Sequence, residues 1–87
     1  MPLNPKEVAG KRFSSPVIGN RAYREDEVRA FLRRVAATMR GRDKVTPVEI
    51  TRVSFSRPKR NELGYSEDEV DAYLEDLAEE LSRRSRT

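Results

Sequence analysis

Cysteine and histidine are both absent from these 87 residues. Without cysteine no disulfide can staple the fold, and a lone core of this size is marginal without a staple or a partner. Without histidine the usual general base and the commonest metal ligand are gone, which leaves carboxylates alone for any hard-cation site. No apolar run approaches the roughly 20 residues that span a bilayer, and the N-terminus lacks the apolar stretch of a secretory signal. The absence of cysteine fits a reducing compartment, so the expected location is cytoplasmic. Neither a nucleophile–base pair nor a phosphate-cradling glycine-rich loop can be composed from the residues present. The sequence therefore predicts a protein that is not an enzyme, with no catalytic residues, no metal site and no cofactor.

Charge is plentiful but unevenly divided. The chain holds 18 Lys+Arg against 15 Asp+Glu. Residues 1–44 carry 11 basic and 5 acidic side chains, a net +6, whereas residues 45–87 carry 7 and 10, a net −3. Oppositely charged halves either face each other or face different partners.

The division follows an internal repeat. Residues 3–39 lie over residues 45–81 without a gap, at a constant offset of 42. Identical pairs include Pro5/Pro47, Glu7/Glu49, Phe13/Phe55, Pro16/Pro58 and Tyr23/Tyr65, then Glu25-Asp26-Glu27 over Glu67-Asp68-Glu69, and Val28/Val70, Ala30/Ala72, Leu32/Leu74 and Ala36/Ala78. The chain reads as a duplication, residues 1–44 and 45–87, forming one unit.

Each repeat predicts a short helix, an extended loop and a longer helix. Asn4 and Thr46 are N-caps, Pro5 and Pro47 stand at the first helical position, and Glu7 and Glu49 occupy the capping-box place. The segments 13–22 and 55–64 contain Pro16, Gly19, Pro58 and Gly64 and have no helical period. In the second long helix Ser66 is a cap, Tyr65 and Val70 have staple spacing, and Val70, Tyr73, Leu74, Leu77 and Leu81 form one stripe. Val28, Phe31, Leu32, Val35 and Met39 match that stripe position for position. Burying such side chains stabilises by about 1.5–3 kcal/mol each, so each stripe needs another helix to cover it. The fold class expected is all-α: tandem helix-loop-helix repeats whose helices pair in a bundle or short coiled coil. Phe13 and Phe55 are expected to anchor the loops on the helices. The two acidic triplets suit the positive ends of the helix dipoles better than they suit a cation. Arg24 replaces the capping serine in the first repeat and cannot accept a backbone hydrogen bond, which predicts a looser helix start.

Two expectations concern how the repeats meet. Only Gly41–Lys44 separate the first long helix from Thr46, and four or five extended residues reach about 17 Å at most. A parallel arrangement of the two long helices, with the second short helix near the start of the first long one, should therefore be hard to close within one chain; the second short helix should instead pack near the end of the first long helix, with residues 53–64 making the return crossing. Arg29, Arg33 and Arg34 occupy the positions of Asp71, Glu75 and Asp76, so unlike repeats should attract and like repeats repel.

The sequence Gly64-Tyr65-Ser66-Glu67-Asp68-Glu69-Val70-Asp71-Ala72-Tyr73-Leu74, with Phe55-Ser56 upstream, resembles the N-terminal domain of DivIVA-type bacterial division and polar-growth proteins. Met1-Pro2-Leu3 and Phe13-Ser14-Ser15-Pro16-Val17-Ile18-Gly19-Asn20-Arg21 resemble the actinobacterial form of its loop. The first repeat departs from the pattern at Ala22, Arg24 and Arg29. The resemblance implies a non-enzymatic scaffold module of parallel coiled-coil helices whose crossed loops touch the membrane at the pole or septum. In that family an apolar loop residue and a nearby arginine make the contact. Here these positions are Val17, Ile18 and Arg21 in the first repeat, and Lys59 and Arg60 in the second, where Leu63 is the only bulky apolar loop residue after Phe55. The partners implied are a second copy, a longer DivIVA-type coiled-coil protein and an anionic membrane surface. The alternative is a small nucleic-acid-binding protein using Arg29, Arg33, Arg34, Arg40 and Arg42. The acidic second repeat would repel phosphate, which disfavours that reading.

Overall fold

The caps of the two short helices act where the sequence puts them. The Asn4 side chain accepts a hydrogen bond from the Glu7 backbone N–H at 2.8 Å and opens helix α1, Pro5–Ala9. The Thr46 hydroxyl oxygen accepts from the Glu49 N–H at 3.1 Å and opens helix α3, Pro47–Arg52. The long helices are α2, Glu25–Met39, and α4, Glu67–Arg84. Helix α2 starts at Arg24 without a side-chain cap; the guanidinium instead lies against Asp26 at 3.3 Å. At its other end Gly41 and Arg42 donate to the carbonyls of Thr38 and Ala37, which closes the last turn and aims the chain toward α3. The computed structural model describes residues 3–13, 16–19 and 21–84. Met1, Pro2, Ser14, Ser15 and Asn20, quoted above for the family resemblance, lie outside the described residues.

The all-α expectation needs correction. The loops hold a three-stranded antiparallel sheet in the order β1-β3-β2, with β1 at Pro16–Ile18, β2 at Ala22–Tyr23 and β3 at Leu63–Ser66. Strand β3 belongs to the second repeat and lies between two strands of the first. The register puts Val17 opposite Gly64, Ile18 opposite Leu63, and Tyr23 opposite Tyr65. Strands of two to four residues carry no alternation of their own, and each finds its hydrogen-bond partner only in the other repeat.

The expectation that a parallel pair is hard to close within one chain is also corrected: the two long helices run side by side in the same direction from this sheet, because α3 and residues 53–57 carry the chain back from the end of α2 to its start. At their starts, Arg29 of α2 reaches Tyr65 and Tyr23 reaches Asp71 of α4. Farther along, α3 sets Glu49 3.1 Å from Arg34 of α2 while Ile50 lies beside Leu74 of α4. Helix α1 mirrors this: it packs on α2, and the Leu3 carbonyl before it accepts from Arg84 at the end of α4. Each short helix thus bridges both long ones. Val8, Val28, Leu32, Val35, Ile50, Val70 and Leu77 are buried in a single core with Phe13, Phe31, Tyr65, Leu74 and Leu81. Met39 and Tyr73, also on the expected stripes, are half-buried against it. Glu80 is buried as well, where Arg83 and Arg84 donate to its two oxygens; the Arg84 bond holds its carboxyl below the usual carboxylate range.

The short linker acts as its length requires. The Val45 N–H donates to the Thr38 hydroxyl at 3.0 Å, so α3 begins at the end of α2. Residues 53–57 then return along α2 until the Ser56 carbonyl accepts from the Arg24 N–H at 3.0 Å.

Candidate functional site

The aromatic residues fasten each loop to the opposite repeat. Phe13 stacks on Tyr65 and Tyr73, with ring centroids 4.9 and 5.9 Å away. Phe55 meets Tyr23 and Phe31 at 5.3 and 5.9 Å. These are the same contacts under the 42-residue offset. The rewritten charges obey the same exchange, but through tyrosines rather than through direct pairing. Arg29 donates to the Tyr65 hydroxyl at 2.8 Å, and the Tyr23 hydroxyl donates to Asp71 at 2.9 Å. Arg34 binds Asp43 and Glu49 instead of Asp76.

Burial, followed by the bond to Asp71, pushes the Tyr23 phenol up to about 12. Because the folded value lies above the ordinary value near 10, the neutral phenol stabilises the fold below about pH 10 and loses that contribution between about 10 and 12. Phenolate absorbance during an alkaline titration should show Tyr23 ionising last, and Tyr23→Phe should remove that late step. Ionisation of Tyr23 near pH 10 would contradict the Asp71 contact.

This cross-fastened base presents a tip. Gly19, with φ 99°, and Asn61, with φ 65°, stand 42 residues apart and form the two left-handed turn positions. The first turn closes by the Ala22 N–H donating to the Gly19 carbonyl at 3.2 Å, and the second by Glu62 N–H to Lys59 at 2.9 Å. Between the turns, Ile18 and Leu63 are cross-strand partners, 62% and 50% exposed. Arg21, Lys59 and Arg60 are exposed on the same turns. Val17 is half-buried, opposite Gly64, and is therefore less available than Ile18.

The structure thus brings together Ile18, Arg21, Lys59 and Arg60 at one end of the molecule and adds Leu63 as the apolar neighbour of Ile18. The pairing of Ile18 with Leu63 was not legible beforehand, because it depends on a register between strands 45 residues apart. Of the basic residues in and after α2, Arg29 and Arg34 are engaged within the molecule, which breaks the first helix's cationic face. No cluster of acidic residues able to hold a metal occurs among the described residues. No helix among them is long and apolar enough to cross a membrane.

A 32-residue stretch of the chain is 59% identical to the cell wall synthesis protein Wag31 of Mycobacterium tuberculosis. Equal identity over the same length is found with Wag31 of Mycobacterium leprae and of Mycolicibacterium smegmatis. Over this stretch the chain is similar to a DivIVA-family protein. The match covers 37% of the chain and only 12% of each relative's length. No protein-family profile matches the chain, and no solved structure does so.

Proposed function

We propose that this chain is a non-enzymatic scaffold module of DivIVA type, in which two repeats pair within one chain as two subunits pair in a family dimer. Its tip contacts an anionic membrane surface, in a setting of cell wall synthesis or polar growth like that named for the mycobacterial relatives. The observation that carries this reading is the exposed Ile18–Leu63 pair with Arg21, Lys59 and Arg60 on the adjoining turns. Two bulky side chains exposed side by side at a loop tip do nothing for the core, whereas partial burial in a lipid interface favours them. Each lysine or arginine near an anionic leaflet adds about 1 kcal/mol, a contribution that salt weakens.

The test is co-sedimentation with vesicles containing phosphatidylglycerol, beside neutral phosphatidylcholine vesicles. The double change Ile18→Ser with Leu63→Ser should weaken binding to anionic vesicles at least about tenfold, from the loss of apolar burial. Its melting temperature should stay close to that of the parent, since both side chains are exposed. Removing the charges of Arg21, Lys59 and Arg60 should abolish the preference for anionic lipid. Absence of binding by the parent protein, or a large fall in melting temperature of the double variant, would remove the tip as a contact site.

A further inference from the structure

Successive carbonyls of a strand point to opposite edges, so only every second one along β2 can face the sheet. The Arg21 carbonyl, just before β2, accepts from the Glu67 backbone N–H at 2.8 Å, on the side of β3. The next carbonyl, that of Ala22, therefore points to the outer edge, where the three-stranded sheet has no further strand. Ala22 is fully buried, and a buried carbonyl needs a donor. Arg57 supplies it: one guanidinium nitrogen lies 3.1 Å from the Ala22 carbonyl oxygen and 2.8 Å from Oε2 of Glu67. The same guanidinium stands 5.1 Å from the centre of the Tyr23 ring. Nearly half of the Arg57 side chain is exposed, yet its charge is offset by Glu67.

We infer that Arg57 and Glu67 position the tip for its contact with an anionic membrane surface, acting through the two turns and not on lipid themselves. This role rests on the membrane reading above. Ala22 closes the first turn, which follows Ile18 and carries Arg21, and Arg57 precedes the second, which carries Lys59 and Arg60, with Pro58 alone between. Glu67 opens α4. One guanidinium thus joins the exit of one turn, the entry of the other and the start of a long helix. The side it braces is the weaker one, since β2 pairs with β3 through two residues and β1 through three. The equivalent carboxylate of the first repeat, Glu25, pairs instead with Arg29 of its own helix. A tip whose turns are already fixed to each other loses less conformational freedom on binding than two turns that move independently.

Charge and positioning predict opposite results for Glu67. Removing a carboxylate raises the net charge, which by itself strengthens attraction to an anionic leaflet. Glu67→Ala and Asp68→Ala remove the same charge from the same helical turn, but it is Glu67 that holds Arg57. In co-sedimentation of the full chain with phosphatidylglycerol vesicles, Asp68→Ala should bind as tightly as the parent or more tightly. Glu67→Ala should bind about fivefold more weakly. Arg57→Met should weaken binding at least as much, and adding Glu67→Ala to it should weaken binding no further, because the two side chains act as one unit. Circular dichroism at the assay temperature verifies that each variant is folded. Amide hydrogen exchange reads the contact without lipid: the Ala22 and Glu67 N–H groups should exchange faster in Arg57→Met, while those of Val28 and Leu32 in α2 keep their protection. Failure of the parent to bind overturns the membrane reading and the positioning role with it. A parent that binds, with Glu67→Ala as tight as Asp68→Ala, with additive losses in the double variant or with Ala22 and Glu67 exchange unchanged, overturns the positioning role alone.

Discussion

Gly64→Ala is expected to lower the melting temperature by about 15 °C, the cost of roughly 3 kcal/mol of overpacking in a chain of this size. Gly64 is buried in the central strand, and a methyl group there would collide with the Tyr23 carbonyl oxygen. It would also lie 2.7 Å from Pro58 Cγ and 3.1 Å from Ala22 Cβ. Relief requires β2 to move, yet Tyr23 is held by its ring contact with Phe55 and its bond to Asp71. Gly19→Ala makes the informative comparison. Gly19 has a left-handed φ but open space around the added carbon, so its substitution carries backbone strain of about 1 kcal/mol and no collision. Thermal unfolding of both variants checks the assignment. A Gly64→Ala protein melting within a few degrees of the parent would mean that β3 does not lie between β1 and β2.

Separating the repeats should have a still larger effect. Made as two peptides, residues 1–44 and 45–87 are each expected to be largely unfolded, and to regain most of the helical signal when mixed one to one. Neither half holds a core of its own. Phe13 is covered by Tyr65 and Tyr73, Phe55 by Tyr23 and Phe31, and β3 supplies the hydrogen bonds of both other strands. A chain of about 40 residues rarely folds alone without a staple, and none is present. Circular dichroism of the separate and mixed halves reads the result. A half that folds alone, or that pairs with itself as strongly as with the other, would contradict a shared core.

The sequence by itself determined the elements whose signals are local. An N-cap three residues before its acceptor, a proline at the first helical position and an apolar stripe at helical spacing all operate within one or two turns. Asn4, Thr46, Val28–Met39 and Val70–Leu81 therefore announced four helices and the side each would bury. The linker, too, was legible, since four residues cannot reach farther than their length, and Thr38 does receive Val45. The sheet was not. Its strands are too short to alternate, and residues 18 and 63 become neighbours only once the helices have brought the two loops across each other. The same holds for the rewritten charges. Sequence showed that Arg29 and Asp71 are equivalent and opposite in sign, whereas the structure gave each a tyrosine of the other repeat as its partner. Local spacing dictates which face of a helix is apolar; which distant residue meets that face depends on loop crossings and strand register, and these are properties of the assembled core.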